Sequence, residues 1–526
     1  MKKSDLILTG GVIYTIDSAF SMVNTLVISE GKIVATGDSA EIFSHYKADS
    51  IIHLAGKPVY PGFNDAHCHF YGYGLGLVRY ANLRDTKSAE EIVDRLKLHH
   101  KNTNSTWILG RGWDQNDWPV KAFPDKTLLD QAFPENPVYL VRIDGHAAWV
   151  NSAALKLAGI DADTKIPGGQ VLLVNGEPGG ILIDNAMDQV TALIPEPSKD
   201  DKTRALMAAQ ENCFELGLTS VTDAGLDKEI ILLIDSLHKS GELKMRIDAM
   251  LSPTKENFET FLEKGIYSTG HLRVGSIKLY ADGALGSRGA LLLQPYTDDP
   301  GNSGLEVKNK EEIAKLAKLA FDNNYQICTH AIGDKANRNV LEAYSSVLKE
   351  KNDRRWRVEH AQIVDDADFE LFGKFSVIPS VQPTHATSDM YWADERLGER
   401  IKYAYAYQRL LRQNDWLPLG TDFPIEEVNP LLTFYAAVIR KDITGWPVEG
   451  FEMANALSKE ETLRGMTIWA AKSSFQENEK GSLEPGKWAD LVVLDRDIMT
   501  ISPSEIPGVK VLMTYSGGKL VYSAKQ

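Results

Sequence analysis

The chain has 526 residues, 43% hydrophobic and 25% charged, which is the composition of an ordinary globular protein. That length exceeds one minimal domain and suits a large barrel with an accessory domain. A formal net charge of −15 argues against nucleic-acid and anionic-membrane partners.

Read from the N-terminus, Met1-Lys2-Lys3-Ser4-Asp5 enters a strand pattern with no signal-peptide core. No apolar run is long enough to span a bilayer. The expectation is a cytoplasmic protein, with a trimmed leader left open. The three cysteines, Cys68, Cys213 and Cys328, form no disulfide framework and read as free thiols. Residues 5–14 and 25–35 read as short strands broken by glycine turns. Residues 489–494, 511–515 and 519–522 repeat that texture near the C-terminus, with Gly517-Gly518 as a hairpin turn. Neither end has enough strands to bury its own faces, so residues 1–57 plus 475–526 are expected to pair as one β-sandwich.

Between the ends, strands and helices alternate. Residues 58–67, 218–222, 244–251, 274–280, 325–330, 356–360, 375–381 and 417–420 read as eight strands. Helices are predicted over 310–321 and 334–348, and another runs after Ser198 to a stop at Gly217. Eight alternating units predict a (β/α)8 TIM-type barrel over residues 58–474, with reacting groups at the C-terminal strand ends. One connection, residues 75–197, is far beyond a normal βα loop. It is expected to form an inserted subdomain over the barrel mouth. Trp107, Trp113, Trp118 and Trp149 crowd it, which suggests tolerance of an apolar substrate substituent, although ordinary packing explains most of them. Residues 287–304 form a second long loop, a candidate lid.

The chemistry starts at His67-Cys68-His69. On an extended strand, side chains two apart share a face, so both imidazoles converge as a first-row metal requires. Cys68 then faces the barrel wall, and Cys328 reads as core packing. A lone His-x-His is weak evidence. Its weight comes from Lys278, His330, His360 and Asp422, each at or near the end of a strand-like run.

These residues lie in six ordered motifs. Pro61-Gly62-Phe63-Asn64-Asp65-Ala66-His67-Cys68-His69 resembles the opening signature of the metal-dependent amidohydrolase superfamily. Lys278-Leu279-Tyr280-Ala281-Asp282-Gly283, Thr329-His330-Ala331-Ile332-Gly333-Asp334 and Val358-Glu359-His360-Ala361-Gln362 resemble its amidohydrolase family 3, or YtcJ-like, branch. Gly420-Thr421-Asp422-Phe423-Pro424 and residues 486–494 agree with it. The resemblance implies that His67 and His69 bind the more buried of two divalent metals, and His330 and His360 the other. It further implies that Lys278, carboxylated by carbon dioxide, bridges them, and that Asp422 is both ligand and proton shuttle. Zinc is the metal so implied; the residues alone also allow manganese, iron or cobalt.

That constellation accounts for a hydrolase. A bridging hydroxide attacks a carbonyl polarised by the second metal, and Asp422 passes the proton to the leaving nitrogen. The expected reaction is cleavage of a C–N (amide) bond in an N-substituted or N-acylated small molecule. Cyclic amides, lactones and other esters would meet the same attack. An isomerase or decarboxylase using the same metals stays open, as does a non-catalytic regulatory metal-binding protein. Substrate-contact candidates are His146, which resembles a recurrent motif of the branch, His385 after the seventh strand, Arg288 and Trp113. No dimer surface is readable, and a homodimer stays open.

Overall fold

The computed structural model describes residues 1–101, 105–143, 145, 147–166 and 169–525. Two compact units make up the chain: Met1–Phe70 with Gln210–Gln526, and Tyr71–Ala209.

The first unit is built around seven parallel strands in sequential order: β1 (Phe63–Cys68), β2 (Leu218–Leu226), β3 (Arg246–Leu251), β4 (Leu272–Tyr280), β5 (Gln326–Ala331), β6 (Arg357–His360) and β7 (Ile378–Ser380). Parallel neighbours need crossovers, and helices such as Lys310–Asp322 and Asp334–Leu348 supply them. The first of these opens on a capping box, in which Asn309 and Glu312 each satisfy the other's backbone N–H.

The strand expected at 417–420 makes no regular ladder, because Pro418 lacks an N–H and the chain turns at Asp422 (φ 64°). It nevertheless lies between β7 and β1. Gly420 N–H donates to Val381 O, Ala66 N–H donates to Leu419 O, and Val381 and Leu419 form a parallel bridge. The sheet is therefore a nearly closed barrel of TIM type. Glycine is required at this seam, since a Cβ on Gly420 would sit 2.6 Å from His67 N.

The strand expected over 58–67 is in fact two. Pro58–Pro61 pairs with Lys2–Tyr14 and with Leu491–Leu494, whereas β1 joins the barrel. The break falls at Gly62, where a Cβ would lie 2.2 Å from Thr219 Oγ1. Strands from both chain ends thus share one hydrogen-bonded sheet of eight strands. Leu8, Leu26 and Ile28 from one end and Leu491, Val493 and Tyr515 from the other bury into a common core. Each such side chain contributes about 1.5–3 kcal/mol on burial.

The second unit carries a six-stranded sheet in the order Gly169–Val174, Glu177–Asp184, Ala147–Val150, Val138–Arg142, Ile108–Trp113, Tyr80–Asn82. Leu83, Trp113, Leu140 and Trp149 pack in one core cluster, and Trp107, Leu109, Tyr139 and Val150 in another. All four insert tryptophans are buried, so they give no support to an apolar substrate pocket. Among the described residues, no helix is long and apolar enough to cross a membrane.

Candidate metal centre

The six side chains expected to hold metal come from four strand ends and the closing segment. His67 lies one residue before the end of β1 and His69 just beyond it; Lys278 lies near the end of β4, His330 near that of β5, and His360 closes β6. The structure brings them together. Lys278 Nζ is 3.2 Å from His67 Nε2, and Asp422 Oδ1 is 3.5 Å from His67 Nε2 and 3.3 Å from His69 Nε2. Ring centroids of His67 and His360 are 5.0 Å apart, and those of His330 and His360 are 4.5 Å apart.

Local backbone geometry makes this convergence possible. Glu359 and His360 are consecutive, yet both touch His67; a regular strand would send them to opposite faces. The left-handed φ of His360 (73°) breaks the alternation. Asp422 shares that conformation at φ 64°, and its N–H donates to His67 O. Such non-glycine backbone costs of order 1–3 kcal/mol and persists where surrounding bonds hold it. Asp65 supplies several of them: it accepts hydrogen bonds from His67 N, Thr421 N and Thr421 Oγ1, at 3.0, 3.1 and 2.7 Å. Burial pushes its carboxyl up to about 7 despite the opposing hydrogen bonds from Thr421.

Electrostatics keep the donors ready for a cation. Burial and the nearby Lys278 push His67 down to about 4 and His330 to about 3. Burial, with His330 beside it, takes His360 well below its ordinary range. Neutral imidazoles retain the lone pair that a metal needs. Lys278 is buried, and desolvation lowers its pKa. Burial alone would raise Asp422, but hydrogen bonds from His385 and His69 hold it well below the usual carboxylate range.

The donor set fits a divalent ion. Asp422 is buried, and its Oδ1 shares a space within 4.8 Å with ring nitrogens of His67 and His69. Asp422 also groups in this way with His360 and His385. Closely packed lone pairs repel one another, and a cation between them removes that cost.

The remaining candidates fare differently. His385 lies inside the cluster, 3.2 Å from Asp422 Oδ2 and 3.0 Å from Glu426 Oε1. Burial disfavours its charge, yet those two carboxylates carry its pKa well above the ordinary value. Arg288 is engaged with Asp298, Nη2 to Oδ2 at 2.8 Å, as a loop salt bridge. Trp113 is corrected: it is fully buried, and its indole N–H donates to Leu140 O, so it packs the insert core instead of presenting a contact surface. His146 lies outside the described residues.

Sequence reasoning passed over the side chains behind the histidines. Glu359 Oε2 accepts from His67 Nδ1 at 2.5 Å, Gln382 Oε1 lies 2.7 Å from His360 Nδ1, and Asp282 Oδ1 lies 3.5 Å from His330 Nε2. The available signal was spacing: Arg357 and Glu359 share one face of β6, an unusual place for two charges.

Known proteins resemble this chain along most of its length. The amidohydrolase family model matches residues 50–522. A Bacillus subtilis (strain 168) protein designated YtcJ is 32% identical over 98% of this chain and 98% of its own. The N-substituted formamide deformylase of Arthrobacter pascens is 27% identical over 98% of each chain. The crystal structure of an uncharacterized metal-dependent hydrolase from Pyrococcus horikoshii OT3 superposes with a TM-score of 0.80 at 31% identity, covering 95% of this chain and 99% of that one. The chain belongs to the amidohydrolase family of metal-dependent hydrolases.

Proposed function

We propose that the protein hydrolyses the C–N bond of a small N-substituted or N-acylated amide at a centre of two divalent ions. The observation that carries this reading is the approach of Asp422 Oδ1 to the Nε2 atoms of His67 and His69, with Lys278 Nζ 3.2 Å from His67. His67, His69 and Asp422 would hold one ion and His330 and His360 the other. Lys278, as its carbamate, would serve both. Zinc suits imidazole and carboxylate donors of this kind. When bound, such ions supply Lewis acidity, polarising a carbonyl and making water a stronger acid.

The chain's own residues do the rest. An ammonium cannot bind a cation, so Lys278 must first be neutral, and its burial lowers the cost of that state. The neutral amine attacks the carbon of carbon dioxide and releases one proton, leaving a carbamate whose single negative charge is shared by two oxygens. Asp422 takes a proton from the attacking water and delivers it to the departing nitrogen. His385 engages Oδ2 and Oδ1 faces His67 and His69, so the two oxygens of the carboxylate have different partners. The bonds from Asp422 N to His67 O and from Thr421 to Asp65 hold the carboxylate in place before substrate arrives. The deformylase relative, named for an N-substituted formamide, supports the amide assignment.

The test is a panel of N-substituted formamides, N-acyl amines, lactams and lactones, read by release of amine or carboxylate. Turnover of amides with one amine released per carboxylate supports the proposal. Turnover of lactones and esters alone would remove the C–N assignment while leaving a hydrolase. No turnover of any member by metal-loaded protein would favour a binding role.

A further inference from the structure

Behind His67 stands a buried ion pair with no surface role. Glu359 and Arg357 are both fully buried on β6. Arg357 Nε lies 2.7 Å from Glu359 Oε1, and its Nη2 donates to Oε2 at 2.9 Å. The same Nη2 also reaches Ala66 O in β1 and Ser380 Oγ in β7, at 2.5 and 2.9 Å. The guanidinium is thus fixed to three strands, and the carboxylate is fixed to the guanidinium.

The Arg357 guanidinium approaches both carboxylate oxygens of Glu359, which pairs the carboxylate with a fixed cation. An ionised carboxylate can only accept, so the proton shared with His67 sits on Nδ1. The other nitrogen, Nε2, then carries the lone pair, and it is the atom that faces Lys278 Nζ and Asp422 Oδ1. Burying two charges is costly unless some function retains them, since well-packed apolar residues of similar volume are often as stable.

We infer that Glu359, braced by Arg357, is a positioning residue for the metal centre: it fixes the tautomer and ring orientation of His67 and thereby sets the affinity of the ion that His67 holds. The inference rests on the proposed ligand role of His67, but not on the substrate or on amide chemistry. A carboxylate behind a ligating imidazole raises its basicity as well as aiming it. The contact of Glu359 with the centre is its hydrogen bond with His67.

The experiment compares wild type with Glu359→Gln. Metal-free protein is titrated with cobalt(II) against a competing chelator, and the visible absorption of the bound ion is recorded. Glutamine keeps the shape but removes the negative charge. The expected result is a loss of about 10–100-fold in affinity for the tighter site and an altered cobalt spectrum, with the far-ultraviolet circular dichroism of the metal-free protein unchanged. Should the unpaired Arg357 prevent folding, the double variant Arg357→Met/Glu359→Gln removes that charge and is read in the same way. Native affinity with a native spectrum would overturn the inference. A variant that melts earlier yet binds cobalt as wild type would overturn it too, making the pair purely structural. If wild type itself bound no cobalt, the ligand role of His67 would fail instead, which is a distinguishable result.

Discussion

His385 Nε2 lies 3.2 Å from Asp422 Oδ2, while His385 Nδ1 lies 3.0 Å from Glu426 Oε1. The imidazole therefore spans two carboxylates, and one of them is the residue assigned to move protons. A hydrogen bond of this charged kind is worth about 1.5–3 kcal/mol. His385→Ala is expected to lower kcat by roughly 10–100-fold, on that energy, with metal content unchanged. Metal analysis alongside the kinetics checks it. Loss of bound metal in the variant would instead make His385 a ligand, as its grouping with His360 and Asp422 allows.

Asp422→Asn keeps an oxygen for coordination but removes the basic site. Turnover should fall by about 10²-fold or more, the usual range for losing a positioned acid–base group, while most metal stays bound. Undiminished kcat would remove the shuttle assignment.

The foot of β3 is tied to the terminal sheet by a buried pair. Arg246 Nε donates to Asp490 Oδ2 at 2.6 Å, and Asp490 Oδ1 also accepts from Gly517 N at 2.7 Å. Removing one partner of such a pair leaves an uncompensated buried charge. Asp490→Ala is expected to cost about 3–5 kcal/mol of stability, measured by denaturant unfolding. Activity per folded molecule should hold, because neither residue is among those assigned to the metal centre.

Gly62→Ala tests the join between the terminal sheet and the barrel. The new Cβ would lie 2.2 Å from Thr219 Oγ1 and 2.4 Å from Cγ2, so something must shift, at about 1–3 kcal/mol. Thr219→Ala should relieve much of that cost in the double variant. If the two substitutions simply add, the clash is not the cause.

Much of this was legible in the sequence because strand ends in a barrel carry chemistry, and His67, His69, Lys278, His330, His360 and Asp422 all stand at or beside one. Strand order followed from alternation with helices. Two things were not legible. Periodicity cannot separate Pro58–Pro61 from Phe63–Cys68, since both are short runs buried on both faces; only the partner across each ladder distinguishes them. Gln382 was hidden, because an amide acting through a histidine leaves no spacing signature of its own, and the Arg357–Glu359 spacing marks two charges on one strand face without naming the histidine they serve. Trp113 failed for another reason. Aromatic crowding signals a core as readily as a pocket, and here the indole N–H was already committed to Leu140 O.

The central claim is a two-ion centre that depends on a carboxylated Lys278. It is tested most directly by counting metal ions per chain after stripping and reloading, with and without bicarbonate. About two ions per chain are expected from the ligand count, with recovery that depends on bicarbonate in wild type and not in Lys278→Ala. A single ion, or two ions recovered equally well without bicarbonate and in Lys278→Ala, would contradict it.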